Sequence, residues 1–158
     1  GPRAELMMEL NGKGIDVRPS GPEIGRASSI KMCYAAVSKG TNALHTAALV
    51  SAEALGVGQA VRDEWRLSAP GVYDRMQKTV PWLAADAARW AGEMMEIAKT
   101  FESCGVTSKF HQGAADIFRL LDAAPFSAET RETLDRSRTL EQTVKVLTEY
   151  LPARKAAE

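Results

Sequence analysis

A stretch without proline, residues 25–55, constrains the fold more than any other feature of this sequence. Proline ends or kinks a helix, and a glycine commonly closes one, so this stretch and the Gly56 that follows it predict a single helix of about 30 residues. The average helix has only about 11–12 residues. A helix this long must pack along its sides, and the sequence therefore predicts a mainly α protein built around one long buried helix.

The rest of the sequence predicts shorter helices. Ser127 and Thr139 are side chains that commonly cap helix N-termini, and Gly105 is placed to end a helix. Residues 14–18 form a brief extended stretch, which runs into a turn rich in proline and glycine at residues 19–22. The expected shorter helices span Ala4–Leu10 and residues 59–67, 73–79, 81–103, 108–121, 129–137 and 139–151.

The extended stretch near the beginning suggests how the chain divides into domains. A chain of 158 residues is long enough for one domain with its own core and short for two. A lone strand cannot satisfy its backbone hydrogen bonds without a sheet. We therefore expect residues 1–22 to be the end of an upstream domain that contains a sheet, and residues 23–158 to form a helical domain.

Composition excludes several classes of function. Twenty basic and twenty acidic residues cancel, so no global field favours nucleic acid or an anionic membrane. No apolar run reaches the roughly 18 residues of a membrane span. Cys33 and Cys104 have neither disulfide nor zinc spacing, and we expect two buried, reduced thiols in a cytoplasmic protein. His45 and His111 lie far apart in sequence, so no metal site is expected.

The long helix carries one polar stripe. At about 100° per residue, Ser38, Asn42 and His45 lie within about 40° of Lys31 on an otherwise apolar helix. A lysine in apolar surroundings is a candidate proton donor or acceptor, although a lysine near a helix start also often reaches solvent along its stem. We interpret Asn42 as an interhelical contact and His45 as structural. Gly40 inside the helix costs about 1 kcal/mol relative to alanine, so we expect a neighbour to need its space.

Three segments resemble one known superfamily. The run GRASSIKMCYA at residues 25–35, with SKGT at residues 38–41, resembles the interdomain segment of 6-phosphogluconate dehydrogenase-like and β-hydroxyacid dehydrogenases. RWAGEM at residues 89–94, and GVT at residues 105–107 with HQGAA at residues 111–115, resemble one poorly characterised branch of these NAD-binding proteins.

The resemblance implies a function for the long helix. Lys31 takes the position of the catalytic acid/base, and residues 1–22 become a remnant of an α/β nucleotide-binding domain. The resemblance also implies that this chain is the substrate-binding and dimerisation domain of a cytoplasmic, homodimeric NAD- or NADP-dependent dehydrogenase for a small hydroxy acid. The expected substrate-binding residues are Gly25, Tyr34, Ser38, Lys39 and His111.

The departures from the family pattern limit what the chain can do alone. Tyr34 and Ala35 replace asparagines that follow the lysine in the family. The Gly-x-Gly-x-x-Gly phosphate turn is absent from the sequence, so most of the cofactor site lies outside this chain and the chain alone is expected to be inactive. Two alternatives stay open, a non-catalytic helical dimerisation module and an imine or opine-type reductase domain.

Overall fold

The computed structural model of the protein describes residues 3–152 and is mainly α-helical, as the sequence predicts. Within that range it contains six α-helices and three short 3-10 helices but no strand. The α-helices are α1 (Arg26–Ala54), α2 (Gly58–Ser68), α3 (Pro70–Thr79), α4 (Ala84–Ser103), α5 (Lys109–Ala123) and α6 (Leu140–Glu149). The 3-10 helices span Ala4–Leu10, Val80–Trp82 and Pro125–Ala128.

Helix α1 is the central element, because α2, α3, α4, α5 and α6 all pack against it. Its 29 residues make it roughly 43 Å long. Helices α4 and α5 also pack extensively on each other, and an edge-to-face contact between Trp90 and Phe118, 5.4 Å between ring centroids, lies between them. The largest fully buried side chains belong to this core and are Phe118, Leu49, Met94, Ile97, Leu121 and Leu147.

The end of α1 follows from the residue after it. Gly56 has φ 74°, a left-handed conformation that residues with a side chain rarely adopt. This conformation lets the Gly56 N–H donate to Glu53 O at 2.9 Å and the Val57 N–H donate to Ala52 O at 2.9 Å. These bonds satisfy carbonyl groups that the helix end leaves free. The predicted single long helix and its end at Gly56 are confirmed.

The burial of α1 differs from the expectation. Its buried residues begin at Ala35 and continue to Ala52, whereas the turns before Ala35 lie mostly exposed. In the described residues α2 to α6 gather around the remainder of α1, and Met32 is the residue of this N-terminal third that packs partly against the core. A hydrophobic pattern predicts which side chains can be buried, but not what covers them.

The helix predicted over residues 129–137 is wrong. Pro125–Ala128 forms a 3-10 helix, and residues 130–138 form turns. Side-chain oxygens there accept the hydrogen bonds that backbone carbonyls would accept in a helix. Thr133 Oγ1 accepts from the Thr130 N–H at 2.8 Å, and Asp135 Oδ1 accepts from the Ser137 N–H at 2.9 Å. Helix α3 begins at Pro70, three residues before the predicted start, because proline fits the first turn of a helix.

The segment before α1 stands apart from the core. The predicted helix Ala4–Leu10 is a 3-10 helix with no buried residue, and the extended stretch contributes one isolated bridge, between Asn11 and Ile15.

Cys33 and Cys104 are free but exposed, so the expectation of buried thiols is wrong. Within residues 3–152, no helix combines the length and hydropathy needed to cross a lipid bilayer.

Candidate functional site

The candidate site begins at the turn that leads into α1. Gly25 immediately precedes the helix with φ 90°, a conformation that glycine adopts without strain. Its carbonyl accepts from the Ser29 N–H at 2.9 Å and from Ser29 Oγ at 3.2 Å. Gly25 therefore sets the direction in which the exposed N-terminal third of α1 leaves the preceding segment.

Lys31 lies on this exposed third. Among residues 3–152, no side chain forms an ion pair or hydrogen bond with its ammonium group. An exposed ammonium group without an ion pair or hydrogen bond can bind a ligand or another protein domain.

The hydroxyl groups of Tyr34 and Ser38, which follow Lys31 on α1, differ in their hydrogen bonding. Tyr34, about 60° around the helix from Lys31, has 77% of its surface exposed. Ser38 is half-buried, and its hydroxyl donates to the Ala35 carbonyl of the same helix at 3.4 Å. The Ser38 hydroxyl is therefore partly bound to its own helix, whereas the Tyr34 hydroxyl has no hydrogen-bond partner among residues 3–152.

Lys39 is held against α4. Its ammonium forms an ion pair with Glu93 and lies 5.3 Å from the centroid of the Trp90 ring. Burial lowers the pKa of Lys39, and the positive charges of Arg89 and Lys31 lower it further, against the opposing charge of Asp86. Lys39 lies eight residues after Lys31, about 80° around the helix and roughly 12 Å along its axis.

A chain of ion pairs continues from Glu93 along α4. Arg89 Nη1 lies 2.6 Å from Glu93 Oε1, and Arg89 Nη2 lies 2.5 Å from Asp86 Oδ1. Arg131 Nη2 lies 2.7 Å from Asp86 Oδ2. Burial raises the pKa of Asp86, but the hydrogen bonds from Arg131 and Arg89 outweigh burial, and the pKa lies below its ordinary value.

This network carries more positive than negative charge. Lys39, Arg89 and Arg131 share only the two carboxylates of Glu93 and Asp86. The network runs from Glu93 toward the start of α4. The first turns of α1 lie beside the end of α4, since Cys33 and Phe101 border one groove, so the surplus is local to Lys39 and the start of α4.

His111 lies in a different environment. It is 5% exposed, and its ring makes edge-to-face contacts with Phe101 and Phe110, at centroid distances of 4.3 and 5.5 Å. Burial lowers its pKa, and its Nδ1 has no hydrogen-bond partner among the described residues. The ring borders an apolar groove of about 480 Å³ between α1 and the start of α5.

The apolar groove and Lys31 face different sides of α1. Cys33 and Val37 line the groove, and at about 100° per residue they lie about 160° and 120° around the helix from Lys31. The structure thus brings Lys31, Tyr34 and Ser38 onto neighbouring faces of α1, whereas the Lys39 ammonium contacts Glu93 and Trp90 of α4. It does not bring His111 to the same place within this chain.

The two other members of the polar stripe are buried further along α1. Asn42 and His45 are 9% and 7% exposed, and within the described part of the chain Asn42 Oδ1 and His45 Nδ1 have no hydrogen-bond partner. Burial and the charge of Arg75 lower the pKa of His45. Both residues lie in the packed part of the bundle, which agrees with the structural interpretation of His45.

Sequence reasoning missed the acidic partners of the site. Arg89 and Glu93 stand four residues apart on one helix, a spacing that favours ion pairs and could have revealed them. The pair between Asp86 and Arg131 joins residues 45 positions apart, and a single sequence carries no signal for it. Phe110, which forms one wall of the apolar groove, was also missed.

Residues 3–152 contain neither a cluster of metal-ligating side chains nor a strand. No group of three or more potential metal-ligating side chains lies together between residues 3 and 152. A dinucleotide of the Rossmann type binds at the ends of parallel strands, on a glycine-rich turn. Residues 3–152 contain no strand, so this part of the chain does not fit such a cofactor on its own.

Comparison with known proteins gives two similarities. A family described as a domain of unknown function (DUF1932) matches residues 52–121, from the end of α1 to α5, and leaves out Lys31. This family is known as a C-terminal domain of NAD-binding 3-hydroxyisobutyrate dehydrogenase-like and 6-phosphogluconate dehydrogenase-like proteins, and it therefore suggests that superfamily. No curated protein matches the chain.

A solved structure has a similar fold. It is the crystal structure of the conserved hypothetical protein from Sinorhizobium meliloti 1021, with 30% sequence identity and a TM-score of 0.72. The similarity covers 96% of this chain and 50% of that protein. The chain thus spans half the length of its structural relative, and what the whole relative does is not carried over by this likeness.

Proposed function

We propose that this chain is the C-terminal substrate-binding and dimerisation domain of an NAD(P)-dependent hydroxyacid dehydrogenase of the 6-phosphogluconate dehydrogenase-like kind, with Lys31 as its acid/base. The observation that carries the proposal is the exposed Lys31 ammonium, which has no partner among residues 3–152, at the end of α1 that the bundle leaves uncovered. The association of the DUF1932 family with dehydrogenase-like proteins supports it.

In this proposal a preceding domain carries the cofactor, which accepts or donates the hydride. Lys31, in its neutral form, takes the hydroxyl proton of the substrate when the carbinol is oxidised, and it returns that proton in the reverse reaction. The exposed apolar side chains of the segment before α1, which include Leu6, Met7 and Ile15, suit packing against such a domain. Without that domain the chain is inactive.

The residues around Lys31 suit a small hydroxy acid. Gly25 keeps the approach to the helix free of side chains, and the exposed Tyr34 hydroxyl can donate to the substrate in place of the family's asparagines. Ser38 lies one further turn away, and the positive surplus around Lys39 favours the substrate carboxylate. His111 can take part only from the opposite side of α1, where a second subunit or the preceding domain would have to bring it close.

The proposed partners and location follow from the same premises. The protein acts as a homodimer on a small molecule, with no nucleic acid, since its net charge is zero. A cytoplasmic location keeps the exposed Cys33 and Cys104 reduced.

The first prediction concerns Lys31 in the longer protein in which a nucleotide-binding domain precedes this chain. We expect Lys31→Met to lower turnover at least about 100-fold, the range that general acid–base catalysis contributes. The measurement is reduction of NAD or NADP with a panel of 2- and 3-hydroxy acids and sugar acids. Lys99→Met is the matched control, because Lys99 is exposed and, within residues 3–152, forms its ion pair with Glu96 of its own helix.

Two results would contradict the proposal. Turnover in Lys31→Met equal to that in Lys99→Met, with both proteins helical by circular dichroism, would remove Lys31 from the mechanism. Failure of the longer protein to bind either dinucleotide would remove the dehydrogenase assignment altogether.

A non-catalytic helical dimerisation module is the second candidate function. The apolar side chains that α1 leaves exposed, among them Ile30, Val37 and Leu44, favour it. Under that reading Lys31→Met leaves any activity of the longer protein unchanged. An imine or opine-type reductase would turn over in the same assay, but with imines in place of hydroxy acids.

A further inference from the structure

The start of α1 lacks the local features that stabilise the beginning of a helix. Gly25 precedes α1 and has no side chain to accept a hydrogen bond from the free backbone N–H groups. The first turn contains no acidic residue, whose negative charge would be favourable at the positive end of the helix dipole. Helix ends fray, so the order of the turns that carry Lys31 depends on contacts with the rest of the protein.

Apolar packing contributes little at these turns. Ile30 and Tyr34 expose 57% and 77% of their surfaces. Met32 packs partly against the core, and Cys33 borders the groove that Phe101 lines from the end of α4. A contact of another kind must therefore supply much of the attachment of the first turns of α1 to the bundle.

That contact is the ion pair between Lys39 of α1 and Glu93 of α4. The other ion pairs that α1 makes within residues 3–152 lie in its first and last turns, and the one in the first turn binds a residue of the preceding turn. Lys39 lies about two turns after Lys31. Among the described residues, its ion pair thus links the first half of α1 to another helix.

The Glu93 carboxylate is held from two sides. Lys39 contacts its Oε2, and Arg89 Nη1 lies 2.6 Å from its Oε1. Arg89 is fixed in turn by Asp86, and Asp86 by Arg131, at 2.5 and 2.7 Å between the paired nitrogen and oxygen atoms. Rotation of the carboxylate away from Lys39 would break the ion pair with Arg89 as well, so the two ion pairs support each other.

The ion pair lies where solvent screens charges only in part. The side chains of Lys39 and Glu93 expose 14% and 32% of their surfaces, and the ammonium lies 5.3 Å from the centroid of the Trp90 ring. Charges attract more strongly where water is partly excluded, and an aromatic face adds to the attraction of a cation. Loss of the Glu93 carboxylate would leave a mostly buried ammonium without its partner.

We propose that Glu93 is a positioning residue for Lys31, because its ion pair with Lys39 keeps the first turns of α1 helical and in place beside α4. Helix formation is cooperative, so a turn that is fixed at Lys39 favours the helical conformation of the turns next to it. These turns carry Tyr34 and Lys31, the latter roughly 12 Å from Lys39 along the axis. The inference rests on the proposed function, since Glu93 acts on turnover only through Lys31.

The first experiment measures amide hydrogen exchange in this chain for the wild type, Glu93→Gln and Glu96→Gln. Glutamine keeps the shape of the side chain and removes its charge. We expect Glu93→Gln to speed exchange at residues 30–38 about 5-fold and to leave exchange in α5 unchanged. Glu96→Gln is the matched control, because Glu96 lies on the same helix and pairs with Lys99 at the surface. It should not change exchange at residues 30–38.

Two exchange results would overturn the inference. Exchange at residues 30–38 that is equal in the wild type and Glu93→Gln would show that the ion pair does not hold the first turns of α1. An equal rise in α1 and α5 would show a loss of overall stability in place of a local effect. Neither result depends on the activity of the longer protein.

The second experiment measures the turnover of the longer protein in the assay used for Lys31→Met. At saturating hydroxy acid, we expect Glu93→Gln to lower kcat at least about 10-fold, with the KM for the dinucleotide unchanged and Glu96→Gln without effect. An unchanged kcat in Glu93→Gln, in a protein that Lys31→Met inactivates, would overturn the inference and leave the proposed function standing. Turnover that withstands Lys31→Met would remove the role of Lys31 and, with it, the positioning role of Glu93.

Discussion

At the scale of single residues, the expectation that a neighbour needs the space at Gly40 is only partly met. Glycine inside a helix suggested that a neighbour needs the space, and a neighbour is there: a Cβ at Gly40 would meet Phe110 Cε1. The distance would be 3.6 Å, however, which is ordinary van der Waals contact. Within the described residues, Gly40 is therefore close to Phe110 without being crowded by it.

We therefore expect Gly40→Ala to stabilise the monomeric fold. Alanine lowers the backbone entropy of the unfolded chain and favours the helix, by about 0.5–1 kcal/mol. The measurement is the free energy of unfolding in urea, at concentrations at which the chain is monomeric. A loss of stability would show that the contact with Phe110 is tighter than its distance implies.

The same substitution at Gly58 is the contrasting variant. A Cβ there would overlap the Glu53 carboxylate and lie 3.1 Å from Arg62 Nη1. Arg62 is buried and pairs with Glu53 at 3.2 Å, so displacing the carboxylate leaves a buried guanidinium with a poorer partner. Gly58→Ala should therefore destabilise the fold, by about 1 kcal/mol.

At the scale of secondary structure, α6 owes its start to a pair of side chains. Thr139 Oγ1 accepts from the Gln142 N–H at 3.2 Å, and Gln142 Oε1 accepts from the Thr139 N–H at 2.8 Å. This capping box satisfies backbone groups that the helix leaves free. We expect Thr139→Ala to cost about 1 kcal/mol in the free energy of unfolding, measured by chemical denaturation.

Ser108 offers a matched control for that prediction. It also precedes a helix, α5, but its side chain accepts no capping hydrogen bond from the backbone. Ser108→Ala should change the free energy of unfolding much less than Thr139→Ala. Equal losses at both positions would show that the hydrogen bond is not what stabilises the start of α6.

The sequence predicts those elements whose signals are local. The bounds of α1 follow from an absence of proline and one glycine, and the start of α6 follows from one threonine. The helix expected after Ser127 fails because Thr133 and Asp135 bind the backbone nearby. Such competition between a side-chain bond and a helical bond depends on tertiary neighbours, which one sequence does not show.

In the candidate site, too, the sequence predicts what local spacing determines and misses what tertiary packing determines. Helical spacing places Lys31 and Ser38 on one stripe, but Lys31 is exposed and does not lie in the apolar surroundings that the sequence predicts. The pairing of Lys39 with Glu93 and the separation of His111 from Lys31 arise from the packing of α4 and α5 on α1. The assignment of roles to these residues is still a prediction.

At the scale of the whole molecule, two buried histidines link stability to pH. Burial lowers the pKa of both His45 and His111 from the ordinary value of 6.5, with the charge of Arg75 adding to the effect at His45. Below that value the unfolded chain binds protons that the folded chain does not, so stability falls as pH falls. Above it both states are neutral, and this contribution levels off.

We expect the melting temperature to fall as the pH is lowered from about 8 to about 5, before the carboxylates titrate. Calorimetry of the wild type and of His45→Gln with His111→Gln checks this, because glutamine does not titrate. The double variant should show a flatter profile over that interval. A profile as steep as that of the wild type would assign the pH dependence to other groups.

Within the described residues, α1 is packed in the core at its C-terminal end and exposed at its N-terminal end. A small change in the tilt of α1 therefore moves the N-terminal end most. Leu49, 1% exposed, sits roughly 27 Å along the axis from Lys31. A tilt of about 5° about Leu49 moves the N-terminal end of α1 by about 2 Å. A misplacement of about 1 Å can lower the rate of a reaction about 100-fold. In the proposed function, the position of Lys31 therefore depends on packing many turns away, and a conservative substitution deep in the core is expected to lower turnover although it changes no residue of the site.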